Sequence, residues 1–248
     1  MKCLSKVLLV AALATGTVQY TIAKAPVAKI VADDDQSNTE DRHLSGFSSV
    51  NVSGSFDVVI TQGSTESVKV TAPADIIKRI ITEVDGGVLK IYTKSDNDWH
   101  WFDGGHKKIM IYVSAKELDG VTLSGSGDVS FKEGLRANSF KLKLTGSGDL
   151  SGKLEVKNLD CVLAGSGDIS ISGSADNSNV SVAGSGDYSA TRLVTNTAAV
   201  RVAGSGDVKI NVSTKLDASV VGSGDIHYTG SVKSVSTSKI GSGDVSRM

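Results

Sequence analysis

The chain has 248 residues, with 26 Lys and Arg against 27 Asp and Glu and a formal net charge of −1. That balance excludes a basic nucleic-acid binder, whose minimum signature is a strongly positive domain, and there is no apolar run long enough to span a bilayer as a helix. Hydrophobic residues make up 40% but aromatics only 5%, so a packed core here is built from Val, Ile, Leu and Ala.

Lys2 and Lys6 precede an apolar run at residues 7–14, followed by a more polar stretch that reaches Ala23. This is the order of charged, apolar and cleavage regions in a secretory signal peptide, which places a leader at 1–23. Thr21-Ile22-Ala23 is a small-residue cleavage site, and Ala14-Thr15-Gly16 is an alternative. The leader predicts an exported protein of a Gram-negative bacterium, located in the periplasm, on the outer cell surface or in the medium. Residues 24–43, with Asp33-Asp34-Asp35, read as a disordered polar tether. Cys3 leaves with the leader, so the exported chain keeps Cys161 alone and forms no internal disulfide.

Residues 44–120 read as an N-terminal β region. Val50, Val52, Val58 and Ile60 alternate around Gly54-Ser55-Phe56-Asp57, and a second short strand follows at 67–72. Residues 73–84 switch to helical spacing, with Pro73 near the first turn and Ile76, Ile77, Ile80 and Ile81 along one face. Asp85-Gly86-Gly87 stops that helix, and strands follow at 88–92 and 108–113. A helix laid across an open solenoid end is a cap, which such folds require.

Residues 95–106 lie between those two strands and read as a long hairpin loop. They hold both tryptophans, Trp99 and Trp101, with Asp98, His100, Asp103 and His106 around them. Paired aromatics beside polar groups stack on sugar rings or anchor a protein partner, so Asp98, Trp99, His100, Trp101 and Asp103 are the candidate ligand-binding residues. The competing reading folds the two tryptophans back over the sheet. Asp98, His100, Asp103 and His106 do not make a closed metal-ligand set of recognised spacing.

Residues 121–248 are a seven-fold repeat. Gly-Ser-Gly-Asp begins at Gly125, Gly146, Gly165, Gly184, Gly204, Gly222 and Gly241, a period near 19 residues. A period near 20 signals a solenoid. Two residues before the motif stand Leu123, Leu144, Leu163, Val182, Val202, Val220 and Lys239; four before, Cys161 takes its place among Val121, Leu142, Val180, Val200, Ala218 and Thr237. Apolar residues also occupy the first position after most of the aspartates, with polar residues between. Strand, Gly-rich corner, strand is the reading. It predicts an all-β, single-stranded right-handed parallel β-helix of about 19 residues per coil, continuous with residues 44–120. Leucine-rich repeats share the period, but no helical or Asn-ladder segment recurs. Lys239 and Arg247 put charge into apolar columns of the last coil, which discourages edge-to-edge pairing.

Stacked coils bring Asp128, Asp149, Asp168, Asp187, Asp207, Asp225 and Asp244 into one line. Each neighbouring pair of like charges costs on the order of 0.9 kcal/mol in water. The structural account has each carboxylate accept hydrogen bonds from the amides of its own turn. The alternative is Ca2+ bound along the ladder; no other cofactor is implied. Cys161, at an inward position, reads as a small core hydrophobe.

The run Val52-Ser53-Gly54-Ser55-Phe56-Asp57-Val58-Val59-Ile60-Thr61-Gln62-Gly63, followed by the Gly-Ser-Gly-Asp series, resembles the bacterial "putative auto-transporter adhesin, head GIN domain" family from about Phe47 onward. The resemblance implies a pectin-lyase-like superhelix with Gly-Ser-Gly turns between its sheets. It also implies a secreted protein with a proposed role in cell adhesion and no established catalytic residues.

These readings converge on a non-catalytic exported adhesion or interaction scaffold of the bacterial envelope, with a surface glycan or protein as partner. The alternative is a carbohydrate-binding or carbohydrate-processing β-helix that works through Trp99 and Trp101. No Gly-x-Ser-x-Gly elbow occurs, and the repeated Gly-Ser-Gly is turn chemistry, not a nucleophile.

Overall fold

The structure, a computed structural model, describes residues 37–94 and 108–248. These residues form an all-β solenoid in which strands β1 to β17 belong to one hydrogen-bonded system. In its regular part, β10 (Leu135–Gly146), β11 (Leu150–Gly165), β12 (Ile169–Gly184), β13 (Tyr188–Gly204) and β14 (Val208–Gly222) each cover most of one circuit. Each pairs in parallel with the next, and the register places Leu142 beside Cys161 and Cys161 beside Val180. Equivalent positions therefore stack, and the repeat period is the length of one coil.

The inward columns are apolar and closed. Leu123, Leu144, Leu163, Val182, Val202 and Val220 are all buried, and so is Cys161 in the neighbouring column. Period-two alternation runs on through the Gly-rich corner: Leu163, Gly167 and Ile169 are buried while Ser166 and Asp168 are exposed. Where a column changes size, its neighbour compensates. A Cβ on Gly152 would strike the ring of Phe131, which needs that space to pack edge-on against Phe140 at 5.7 Å between ring centroids. Irregular spacing in the sequence appears as local register shifts, between Ser170 and Ser172 in the β12–β13 pair and between Ala190 and Val194 in the β13–β14 pair.

The corner explains why the motif contains two glycines. The carbonyl of the first Gly accepts the amides of both Ser and the second Gly of the next coil, as in Ser166 N to Gly146 O at 2.9 Å and Gly167 N to Gly146 O at 3.1 Å. The same pair of bonds recurs down the series, from Gly125 O to Gly222 O. To make them the coils approach until no side chain fits between. A Cβ on Gly165 would collide with the carbonyl of Gly146, and one on Gly167 with the carbonyl of Gly148. Gly165 also has φ of +140°, which L side chains avoid, whereas Gly167 is excluded from bearing a side chain by the neighbouring coil alone.

The N-terminal end departs from the simple series. β2 (Ser49–Gly54) and β3 (Asp57–Gln62) form a coil joined by Gly54-Ser55-Phe56-Asp57, and the coil of β8 (Gly120–Gly125) and β9 (Val129–Lys132) stacks on one side of it. On its other side lie β6 (Val88–Thr93) and β7 (Met110–Ala115), also parallel. The chain thus runs outward to an end coil before returning past β2–β3. Phe56 stands where later coils carry the second Gly; it is buried, and its ring lies against Gly54 so closely that a Cβ there would meet it at 2.8 Å.

The helix read at 73–84 is not present. β4 (Ser67–Pro73) runs antiparallel to β7, a 3-10 turn at Ile77–Arg79 follows, and β5 (Ile80–Asp85) runs antiparallel to β6. Among the described residues that turn is the one helical element. Three β-branched residues in succession, Ile80, Ile81 and Thr82, favour the strand. Gly86 and Gly87, at φ of +58° and +77°, make a two-residue hairpin turn in place of a helix stop. Ile76, Ile77 and Ile80 are buried as the helix reading required, but under a sheet. β1 (Ser37–Asp41), inside the segment read as a disordered tether, pairs antiparallel with β4 and extends this closure. Its polar residues lie on an exposed edge, where composition alone resembles a tether.

At the other end, β15 (Ile226–Thr229) and β16 (Ser234–Gly241) lie on β14, and β17 (Val245–Arg247) lies on β15. All eight residues of β16 are exposed. Lys239, in the register of Val220, pairs with Asp244 at 2.6 Å, and Arg247 donates to Gly230 O at 2.8 Å.

Gly167→Ala is expected to destabilise the protein by about 3 kcal/mol or more, because the backbone of the adjoining coil has to move. Ser166→Ala, one residue away and exposed, is expected to change stability by no more than about 0.5 kcal/mol. Chemical denaturation of the two variants measures the difference.

Candidate functional site

Two features of the solenoid surface place repeated polar groups in line. The first is the aspartate column of the Gly-Ser-Gly-Asp corners. From Asp128 to Asp225 each carboxylate binds the next coil, not its own turn: Asp168 N donates to Asp149 Oδ1 at 3.0 Å, Asp187 N to Asp168 Oδ1 at 2.9 Å and Asp207 N to Asp187 Oδ1 at 2.8 Å. The series runs from Asp128 through Asp149, Asp168, Asp187, Asp207 and Asp225 to Asp244. The own-turn account is therefore corrected to a bond between coils. Asp168 is exposed between buried Gly167 and Ile169, and its carboxylate meets the amide of Asp187 in the following coil, where an anion satisfies a donor that the sheet ladder leaves over. Backbone carbonyls of the same aspartates complete the corner, with Leu150 N donating to Asp168 O at 2.9 Å. Among the described residues no group of three or more histidine, cysteine or carboxylate side chains is placed to hold a metal ion.

The second feature is a groove beside the opposite corner, which no fixed motif marks. Both Lys157 and Asn158 are exposed there, so the inward alternation slips by one residue before Leu159 turns back into the core. The slip leaves a concavity of about 430 Å³ that crosses successive coils along the solenoid axis, within the size range of small-ligand sites. One wall is a ladder of amides: Asn177 Nδ2 donates to Asn158 Oδ1 at 3.0 Å, with Ser139 before them and Thr197 after. The other wall carries Lys141, Asp160, Asn179 and Ala199, with Asn179 Nδ2 donating to Asp160 Oδ1 at 3.2 Å. The floor is the column between them, Phe140, Leu159 and Ser178 on three successive coils. Its backbone groups are committed to the parallel ladder, in which Leu159 pairs with Phe140 on one side and Ser178 on the other.

Charge on the surface is handled in pairs. Lys153 and Arg136 hold Glu155 at 2.9 and 2.8 Å and keep its carboxyl below the usual carboxylate range. Lys239 does the same for Asp244. Burial pushes the Cys161 thiol far above its ordinary value, so the exposed, low-pKa setting of a reactive cysteine is absent at this position. His227 Nδ1 lies 2.9 Å from Ser246 Oγ.

Asp98, Trp99, His100, Trp101 and Asp103 lie outside the described residues. Their flanks are placed, however, and they correct the hairpin reading: β6 and β7 do not pair with each other, but lie on β2 and β3 respectively. β6 and β7 thus lie on two different strands of the neighbouring coil, β2 and β3, which Gly54-Ser55-Phe56-Asp57 joins. The groove was not among the sequence candidates. Its signal was the recurrence of Asn158 and Asn177, and of Asp160 and Asn179, at the repeat spacing, together with the change from Phe140 and Leu159 to Ser178 within a buried column.

A family model described as "Putative auto-transporter adhesin, head GIN domain" matches residues 46–231. Among solved structures, the chain is similar to one described as a "putative adhesin" from Bacteroides fragilis, at 23% identity and a TM-score of 0.79, covering 86% of this chain and 97% of that one. It is similar to a "putative lipid binding protein" from Parabacteroides distasonis at 28% identity and a TM-score of 0.69, covering 87% and 98%. A "putative adhesin" from the same species matches at 24% identity and a TM-score of 0.69, again covering 87% and 98%. None of the curated proteins matches the chain.

Asp168→Ala removes the acceptor for the Asp187 amide and is expected to lower stability by about 1 kcal/mol. Asp168→Asn keeps an oxygen at that position, removes one like charge from the column and is expected to stay within about 0.5 kcal/mol of the parent protein. Parallel urea titrations distinguish the acceptor's role from that of the charge.

Proposed function

The chain belongs to the auto-transporter adhesin, head GIN domain family, and on that basis we propose that it is a non-catalytic, exported interaction scaffold of the bacterial envelope with a role in adhesion. The observation that carries this reading is the extent of the family match. Residues 46–231 run from the coil of β2 through β15, so the adhesin description attaches to the solenoid itself and not to an appended segment. The leader pattern at 1–23 supports export. The surface supports interaction with something extended, because its polar side chains recur coil after coil in straight columns instead of converging on a single point.

The partner on this reading is a surface glycan, a matrix protein or a lipid surface; the last is included because one structural neighbour is described as a lipid binding protein. An array of glycans, matrix proteins and lipid vesicles probed with the purified protein is expected to show saturable binding to one of these, with the bound ligand recovered intact. A blank array together with no crosslinked partner in the native envelope contradicts the scaffold reading. Recovery of a shortened glycan contradicts its non-catalytic part.

A further inference from the structure

The groove beside the second corner has a chemistry that narrows the partner, and this inference rests on the scaffold reading. We infer that the groove binds a neutral, linear oligosaccharide laid along the solenoid axis. Three properties of the site lead there. First, its floor offers no free backbone donors or acceptors, because Phe140, Leu159 and Ser178 are paired in the parallel sheet on either side. An extended peptide, which docks by adding main-chain hydrogen bonds to a sheet edge, finds none to make. Second, the polar groups are side-chain amides and hydroxyls in register. Asn177 uses one N–H on Asn158, and Asn179 one N–H on Asp160; an Asn side chain has a second N–H and a carbonyl oxygen beyond that. Planar groups with an adjacent donor and acceptor match the neighbouring hydroxyls of a sugar ring. Third, the lining charges cancel: Lys141 and Asp160 are the charged residues of the groove and stand at one register position on adjacent coils. A polyanionic chain or an anionic lipid headgroup gains nothing from such a site.

Repetition then sets the length of the ligand. The walls extend over four coils, from Ser139 through Asn158 and Asn177 to Thr197, about 14 Å at the spacing of neighbouring strands. A pyranose in an extended chain advances by a similar step, so successive sugars meet equivalent amides. The apolar faces of the rings rest on the floor column and on the Ala199 and Thr197 methyl groups.

The test is titration of neutral cello-, chito- and manno-oligosaccharides of increasing length, with oligogalacturonate as the charged counterpart and phosphatidylglycerol vesicles as the lipid one. The parent protein is compared with Asn177→Ala/Asn179→Ala, which removes amides from both walls, and with Ala199→Trp, which fills the groove. The expected result is binding of one neutral series that tightens with length over the first few sugars. Each variant weakens it by about tenfold or more with an unchanged melting temperature. Binding of a neutral series that neither variant weakens overturns the groove and leaves the scaffold reading standing. Binding of only the charged glycan, the vesicles or a matrix protein overturns the ligand class, again without touching that reading. No binding of any probe, joined to a blank array, overturns both.

Discussion

Where one coil passes over the next at the Gly-Ser-Gly corner, the chain has room for backbone and nothing else. A single carbonyl, such as that of Gly146, takes two amides from the following coil, and both glycines sit where any Cβ would run into the backbone of the adjoining corner. This contact fixes the separation of the coils at one edge. The parallel ladders, the alignment of the inward columns and the position of each Asp above its neighbour's amide all follow from it. Apolar burial supplies the driving force, but a stack of Val, Leu and Ile has no directional preference of its own. The corner supplies the register.

The same constraint explains how the stack begins. At the first described corner the second glycine position is filled by Phe56, which is buried and whose backbone leaves no room for a Cβ on Gly127 of the next coil. Its ring lies against Gly54 where a Cβ would point. The remaining N-terminal edge is closed by antiparallel strands, β5 on β6 and β4 with β1 on β7. Solenoid ends need such covering because an open coil edge is a template for further pairing.

Features tied to the repeat were legible in the sequence, because seven copies show which positions vary together. The inward columns, including Cys161, are buried where the alternation placed them, and Gly-Ser-Phe-Asp is the corner of a coil in the same stack. Features that occur once were legible only in part: the strands read at 67–72, 88–92 and 108–113 are present, the helix between them is not. Ile76, Ile77, Ile80 and Ile81 satisfy a helical face equally well as a turn followed by a strand, and the Gly86-Gly87 hairpin reads as a helix stop until its partner strand is known. The aspartates were assigned to their own turns because a sequence displays neighbours along the chain, not neighbours one coil away. The groove depends on a one-residue slip at Lys157–Asn158; the recurring Asn158 and Asn177 mark its wall in the sequence, but the concavity itself follows only from how the coils stack.

Regularity also divides the labour between core and surface. Once the corner sets the register, outward residues are free to change from coil to coil, and the polar ladder of Asn158 and Asn177 can exist without cost to the core behind it. A scaffold of this kind suits a partner that is itself periodic. All of this depends on the corner amides being bonded between coils, even though Ser166 and its equivalents lie on the surface. Native-state hydrogen exchange measures that directly. Amides of Ser166, Gly167 and Asp168 and of the matching residues in the coils of β12 and β13 are expected to exchange only through global unfolding, with the same free energy as the core strands. Exchange at the rate of ordinary exposed turns, while β11 and β12 stay protected, would show that the corners follow the stack and do not set it.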